Sequence, residues 1–318
     1  MTAHAGHSPG YTPLDATTAP RPSDASGLDT DSILSGPPPY TESTTFTPTT
    51  HLQIETAGKA ALSFPLPLRP DPIPIFLLST TTPGSSPPGP GPGPTYTSLR
   101  PTRRSGSCFL VPGAPGPSSD HPHVVPLSTT RYRFGPGRHP HIRLFAPGGA
   151  APTPNPFLDH DDADHHSGDV DLSTWDAFDV LPSGLLTRAV HFRTRLGTFE
   201  WRYASRKERK AAGADSLLVL DRVVKIARAR DRGEVKDEEV RTPVAQLVRN
   251  GEFRSEGSRA SSAGNGGRLL VDWRGGEKGE GEMVLVLAVT TVLVMLKREV
   301  DRRRAQQIAI MAGAGGSG

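Results

Sequence analysis

This 318-residue sequence predicts a mainly β protein, a sandwich or barrel, with one apolar helix near its C-terminus and a disordered N-terminal tail. Three observations lead there. Short runs of alternating apolar residues recur between Gly, Pro, Asn and Asp clusters, whereas amphipathic helical periodicity is nearly absent. Met283 to Leu296 (MVLVLAVTTVLVML) is apolar on every side apart from two threonines, so it needs burial on every side. The 34 glycines and 33 prolines, with only 35% hydrophobic residues, leave long stretches unable to offset the entropy of ordering them.

Residues 1–50 mix Ser, Thr, Pro, Gly and Asp and are expected to be a disordered tail. Within it, Pro37-Pro38-Pro39-Tyr40 fits the Pro-Pro-x-Tyr ligand of WW domains. Its prolines preform an extended left-handed helix at small entropic cost, and the tyrosine fills a second groove. A WW-domain protein is therefore an expected partner.

The folded domain is expected over 51–310. Its candidate strands are His51 to Ala57, Ile73 to Ser79, Thr95 to Arg100, Gly106 to Val111, Thr130 to Phe134 and His141 to Phe145. Leu185 to Leu196, Thr198 to Ala204, Leu217 to Asp221, Ala245 to Asn250 and Arg268 to Trp273 follow. Disordered insertions are expected near 80–94, where Pro and Gly alternate, near 146–171, and near 228–241, a mixed-charge run without apolar periodicity. Residues 311–318 read as a Gly-rich disordered tail.

The clearest strand pair lies in the second half of the chain. Val190, Phe192, Thr194 and Leu196 share one face and His191, Arg193 and Arg195 the other. After Gly197, Phe199, Trp201 and Tyr203 alternate with Glu200 and Arg202. The result is a half-buried hairpin with an aromatic inner and a cationic outer face. His191, Arg193, Arg195 and Arg202 are accordingly candidate anion-binding residues.

Met283 to Leu296 would rise about 21 Å as a helix, short of the roughly 30 Å hydrocarbon core of a bilayer. Burial in protein is the expectation, with Leu285, Leu287, Val292 and Leu296 in the core. The β-branched content also permits a buried strand, but the continuation KREVDRRRAQQ prefers helix. The alternative is a single-pass or tail-anchored membrane protein using this segment, with Lys297 to Arg304 as its positive flank.

The net charge of +3 conceals segregation. Net charge is −4 over residues 1–50, +6 over 51–158, −8 over 159–182 and +9 over 183–318. Folded segments are thus basic, and the acids lie in stretches that read as linkers. The basic runs Arg202 to Lys210 and Lys297 to Arg304 offer contacts to phosphates. Exposed aromatic stacking platforms do not accompany them, so nucleic acid is not an expected partner.

Several classes fall away. A single cysteine, Cys108, cannot form an internal disulfide and fits a reducing compartment. Met1 to Gly10 lacks the basic and apolar regions of a secretory signal. No GxSxG, GxxxxGK[ST], HExxH or CxxC occurs, so no catalytic residue and no cofactor is expected. His121 and His123, His139 and His141, and His160, His165 and His166 lie among Pro, Gly and Asp, which lack the rigid surroundings a metal site needs; none is expected.

Antiparallel strands with large insertions, ending in an apolar helix, resemble the tubby C-terminal-like superfamily, which includes the LURP-one-related proteins and phospholipid scramblases. The stretches FRTRLGTFEWRYASRKER (Phe192 to Arg209), AQLVRN (Ala245 to Asn250), AGNGGRLLVD (Ala263 to Asp272) and VLVMLKREVDRRRAQQ (Val292 to Gln307) are similar to fungal proteins of this type. The resemblance covers about His51 to Ile310 without its insertions. It implies a closed antiparallel β-barrel of about twelve strands around one central helix. It also implies phosphoinositide binding through basic residues, with no individual position carried over. The expected protein is a non-enzymatic, monomeric, intracellular binding module, cytoplasmic and peripheral at membranes, that meets anionic phospholipid through its basic face and a WW partner through its tail.

Overall fold

The computed structural model describes residues 46–66, 72–78, 93–100, 106–114, 125–132, 138–146, 174–184, 187–229, 235–274 and 280–314. All described residues belong to one compact unit, Thr44–Gly318. In chain order the strands are β1 (Thr50–Ile54), β2 (Ile73–Leu78), β3 (Tyr96–Leu99), β4 (Cys108–Pro112), β5 (Ser128–Arg131), β6 (His141–Phe145) and β7 (Thr174–Asp179). They continue with β8 (Leu181–Pro182), β9 (Val190–Thr194), β10 (Gly197–Tyr203), β11 (Ser216–Ala229), β12 (Val235–Arg249) and β13 (Gly267–Val271). Helix α1 (Arg206–Ala211) sits between β10 and β11, and α2 (Glu280–Ala314) ends the described chain.

All thirteen strands form one antiparallel sheet in the order β7-β6-β5-β4-β3-β2-β1-β13-β12-β11-β10-β9-β8. Its two ends are the same stretch of chain. Only Val180 separates β7, which pairs with β6 through Asp179 and His141, from β8, which pairs with β9 through Leu181 and His191. The Arg195 N–H donates to the Asp176 carboxylate at 2.7 Å, and Phe178 stacks on Phe192 with ring centroids 5.3 Å apart, so the seam is held by backbone and by aromatic packing. The sheet is therefore a nearly closed barrel, its two edges brought side by side at the seam.

The sequence explains the interior. Alternation turns Leu52 and Ile54 of β1, Ile142 and Leu144 of β6, and Phe199 and Trp201 of β10 into one core, with the N-terminal half of α2 packed among them. Every residue from Val286 to Leu296 is buried. Leu287 and Val292 are fully enclosed, Leu296 nearly so, and Leu285 is partly buried against the same core. Both helix threonines are satisfied. Thr290 hydrogen-bonds Ser128 at 2.6 Å, while Thr291 accepts from the Trp201 indole at 2.9 Å and donates to the Leu287 carbonyl at 2.7 Å. Met283 to Leu296, open from sequence alone to a membrane reading, is enclosed by strands. Among the described residues no helix is long and apolar enough to cross a membrane.

Several elements differ from the sequence expectation. β7 and β8 arise from an acidic stretch read as linker, because Phe178 and Val180 reach the core while the aspartates stay at its surface. β5 begins at Ser128, two residues earlier than the apolar run suggested, since Ser128 finds a hydroxyl partner on α2. β11 and β12 continue through much of 228–241, read as a disordered insertion. There they pair only with each other, as a ribbon in which Lys225 faces Glu239 and the exposed Val224 faces Val240. With both faces solvated, no apolar periodicity remains to be read. α2 runs to Ala314, into the stretch read as a tail, since the helix continues past the barrel's end.

Candidate functional site: a cationic cleft at the barrel mouth

α2 leaves the barrel at the end where β1, β10 and β12 finish and β11 and β13 begin. Three ordered loops meet it there: residues 55–66, residues 204–215 with α1, and residues 250–266. α1 starts with a capping box, in which Ser205 Oγ accepts from the Glu208 N–H and Glu208 accepts from the Ser205 N–H. The Glu208 carboxylate also takes Arg202 in two hydrogen bonds, of 2.8 and 3.1 Å. These contacts, Arg202 first, hold the Glu208 pKa at about 2.

The exit of α2 is fixed by Glu299, which accepts four hydrogen bonds. Arg249 donates to both its oxygens at 2.7 and 2.8 Å, the Tyr203 hydroxyl at 2.7 Å and the Gly264 N–H at 2.9 Å. Burial alone would push the Glu299 carboxyl up, but Arg249, Tyr203 and Gly264 hold it below its usual value. Burial and the neighbouring Glu299 in turn raise the Tyr203 phenol. One carboxylate thereby ties α2 to β10, to β12 and to the loop before β13.

Gly264 makes this approach possible. Its φ is +68°, and a Cβ there would meet the Leu296 carbonyl oxygen at 2.5 Å and the Val300 side chain. Gly264→Ala should lower stability by about 1–3 kcal/mol, from backbone strain together with the clash. A denaturant titration with unchanged midpoint would contradict this close packing.

Beside the Glu299 network opens a cleft of about 440 Å³, lined by Arg188, Arg209, Arg249, Arg254, Arg302 and Arg303 against only Asp215 and Glu299. An adjoining hollow of about 410 Å³ shares Arg188, Tyr203, Arg209 and Ser216 and brings in Arg202. Glu299 neutralises Arg249, and Asp215 accepts from Arg254 at 2.6 Å. Arg209 and Arg303 donate to the carbonyls of Asp215 and Ser261, which carry no countercharge. Arg188 lies 5.8 Å over the Tyr203 ring, and neither it nor Arg302 has a carboxylate partner among the described residues. An excess of arginines on fixed elements, with their donors converging on one cleft, is the arrangement that recognises phosphate or carboxylate.

The residues singled out by sequence fall in different places. Arg202, read as exposed, is half-buried, since besides Glu208 its Nε donates to Asp221 at 2.6 Å. Asp221 is almost wholly buried, and burial raises its carboxyl despite Arg202. Arg195 is exposed 6.0 Å over the Trp175 ring, His191 stands across from Glu200, and Arg193 is exposed on the outer face of β9. Only Arg202 reaches the edge of the paired hollows. The basic runs Arg202 to Lys210 and Lys297 to Arg304 do supply Arg209, Arg302 and Arg303 to the cleft, whereas Arg188, Arg249 and Arg254 carried no local signal. Pro37, Pro38, Pro39 and Tyr40 lie outside the described residues. Among the described residues, no group of three or more His, Cys, Asp or Glu is placed to hold a metal ion.

Fold and cleft together define a helix-filled β-barrel with a cationic mouth. A scan against family models finds no match for this chain, and searches of the curated proteins and of the solved structures return none.

Proposed function

We propose that this protein is a non-enzymatic binding module that holds a phosphate-bearing anion in the arginine cleft at the barrel mouth. The observation that carries the reading is the imbalance of six arginines against two acids around one cleft, with both acids already engaged by Arg249 and Arg254. An anion entering there relieves like-charge repulsion and gains charge-assisted hydrogen bonds of about 1.5–3 kcal/mol each. The cleft lining contains hydroxyls but no histidine or cysteine, which favours holding a ligand over transforming it. The phospholipid headgroup implied by the tubby-like resemblance has this chemistry. In the same reading Pro37 to Tyr40 recruits a WW-domain protein, making the chain an adaptor; that part rests on sequence alone.

Calorimetric titration of the full chain with inositol hexakisphosphate tests the proposal. Binding is expected at about 0.1 M salt and should weaken strongly at about 1 M, where the Debye length contracts from about 10 to about 3 Å. Arg188→Glu/Arg302→Glu should lose at least ten-fold in affinity with an unchanged melting temperature, because neither side chain pairs with a carboxylate among the described residues. Equal affinity of variant and wild type would dismiss the cleft as the site.

A further inference from the structure

Around the cleft the protein exposes large apolar side chains that its fold does not use. Leu62, Phe64 and Leu66 are 98%, 76% and 64% exposed on the loop after β1. Ile308, Ile310 and Met311 are 48%, 72% and 56% exposed on the last turns of α2. Polar contacts clamp the two segments together. Arg304 donates to the Pro65 carbonyl at 2.7 Å and Gln307 to the Ala61 carbonyl at 2.9 Å, while Lys59 donates to the Phe64 and Leu66 carbonyls at 2.6 and 3.2 Å. The loop's backbone acceptors are thus turned inward, towards cations, and its apolar side chains outward.

Helix geometry relates this apolar tip to the cleft. Ile310 lies four residues beyond Gln306 and seven beyond Arg303, on the cleft side, and Met311 lies at the same spacings from Gln307 and Arg304, on the loop side. Seven residues rise about 10 Å, so Ile310 and Met311 stand that far beyond Arg303 and Arg304 along the axis, while Leu62 and Phe64 flank the Ala61 and Pro65 carbonyls held by Gln307 and Arg304. Within the two apolar segments the charges are of one sign. Lys59 is the only charged residue in Thr56 to Leu66, and Arg302, Arg303 and Arg304 are the only ones in Arg302 to Ala314.

We infer that this end of the barrel docks onto an anionic membrane surface, with Leu62, Phe64, Ile310 and Met311 entering the acyl boundary and the arginine cleft receiving a lipid headgroup. The spacing supports it. Interfacial elements bury their apolar residues about 5–10 Å deep, and at that depth of the tip the arginines stand at headgroup level. Exposed apolar side chains on two segments whose own charges are all cationic complement a surface that is anionic outside and apolar beneath. The inference rests on the cleft reading for the headgroup, whereas the tip is a separate feature and separately testable.

The test is co-sedimentation of the full chain with phosphatidylcholine vesicles, with or without phosphatidylserine. Wild type should pellet with the anionic vesicles only. Two independent pairs, Ile310→Glu/Met311→Glu and Leu62→Ser/Phe64→Ser, should each lose at least ten-fold in vesicle partitioning. Both should keep wild-type affinity for inositol hexakisphosphate and the wild-type melting temperature. Wild-type protein that binds inositol hexakisphosphate but ignores anionic vesicles would overturn the docking inference and leave the cleft reading standing. Folded tip variants that partition like wild type would overturn it too. Failure of wild type to bind either probe would overturn both.

Discussion

Val292→Asp is expected to abolish the cooperative thermal transition of the barrel, and Leu287→Asp to do the same. Both side chains are fully enclosed on the barrel axis, surrounded by apolar residues such as Met295 and Leu293. The nearest satisfied polar groups are the threonine contacts, which accommodate hydroxyls already paired with Ser128 and Trp201. A carboxylate there has no partner and must be buried unpaired or protonated, at a penalty of several kcal/mol. Native domains are stable by only about 5–15 kcal/mol, so one such group on the axis removes most of the margin. Leu287→Ala, which makes a cavity without a charge, should remain folded but lose about 2–5 kcal/mol. Circular dichroism melts distinguish the cases. A wild-type transition in Val292→Asp would mean that α2 does not fill the barrel in solution.

The second large effect is expected at Glu299. Glu299→Ala leaves the Arg249 guanidinium, only 3% exposed, without its counterion and removes the acceptor of the Tyr203 hydroxyl and the Gly264 N–H. Breaking one side of a buried pair is worth about 3–5 kcal/mol. In a domain of this size that corresponds to a fall in melting temperature of roughly 10 °C. Replacing both partners, in Arg249→Met/Glu299→Leu, should recover much of the loss, because no charge is then left unpaired. A double variant as damaged as the sum of the single ones would show that the pair is not the connection described here.

The same carboxylate predicts a pH profile. The folded pKa of Glu299 lies below the usual value near 4.5. Its contribution is therefore complete above that value and disappears as pH falls below it, because the unfolded chain takes up the proton first. Glu208 behaves alike, down to about pH 2. Wild-type melting temperature should drop as pH is lowered from about 5 towards 2, and Glu299→Ala should show a shallower acid limb. Parallel acid limbs for the two proteins would contradict the assignment.

Sequence alone located β1, β2, β6, β9 and β10 within a few residues, because the alternation of a half-buried strand is written in neighbouring positions. All-round apolarity likewise marked Met283 to Leu296 as a segment needing enclosure, and the basic runs marked Arg209, Arg302 and Arg303. α1 was missed, although Ser205 and Glu208 stand at capping-box spacing. β7 was missed because eight aspartates in 159–182 outweigh Trp175 and Phe178 in any composition window. Only the tertiary structure decided that 174–182 would close the barrel on itself, since pairing to β6 on one side and β9 on the other is a matter of register between distant strands. It likewise decided where positive charge accumulates. Arg188, Arg209, Arg254 and Arg302 come from the approach to β9, from α1, from the loop after β12 and from α2, and they become neighbours only when the barrel end assembles around the helix. Periodicity and apolarity are local properties of a chain and can be read along it, whereas an electrostatic field is a sum over groups in space, and folding alone sets the distances in that sum.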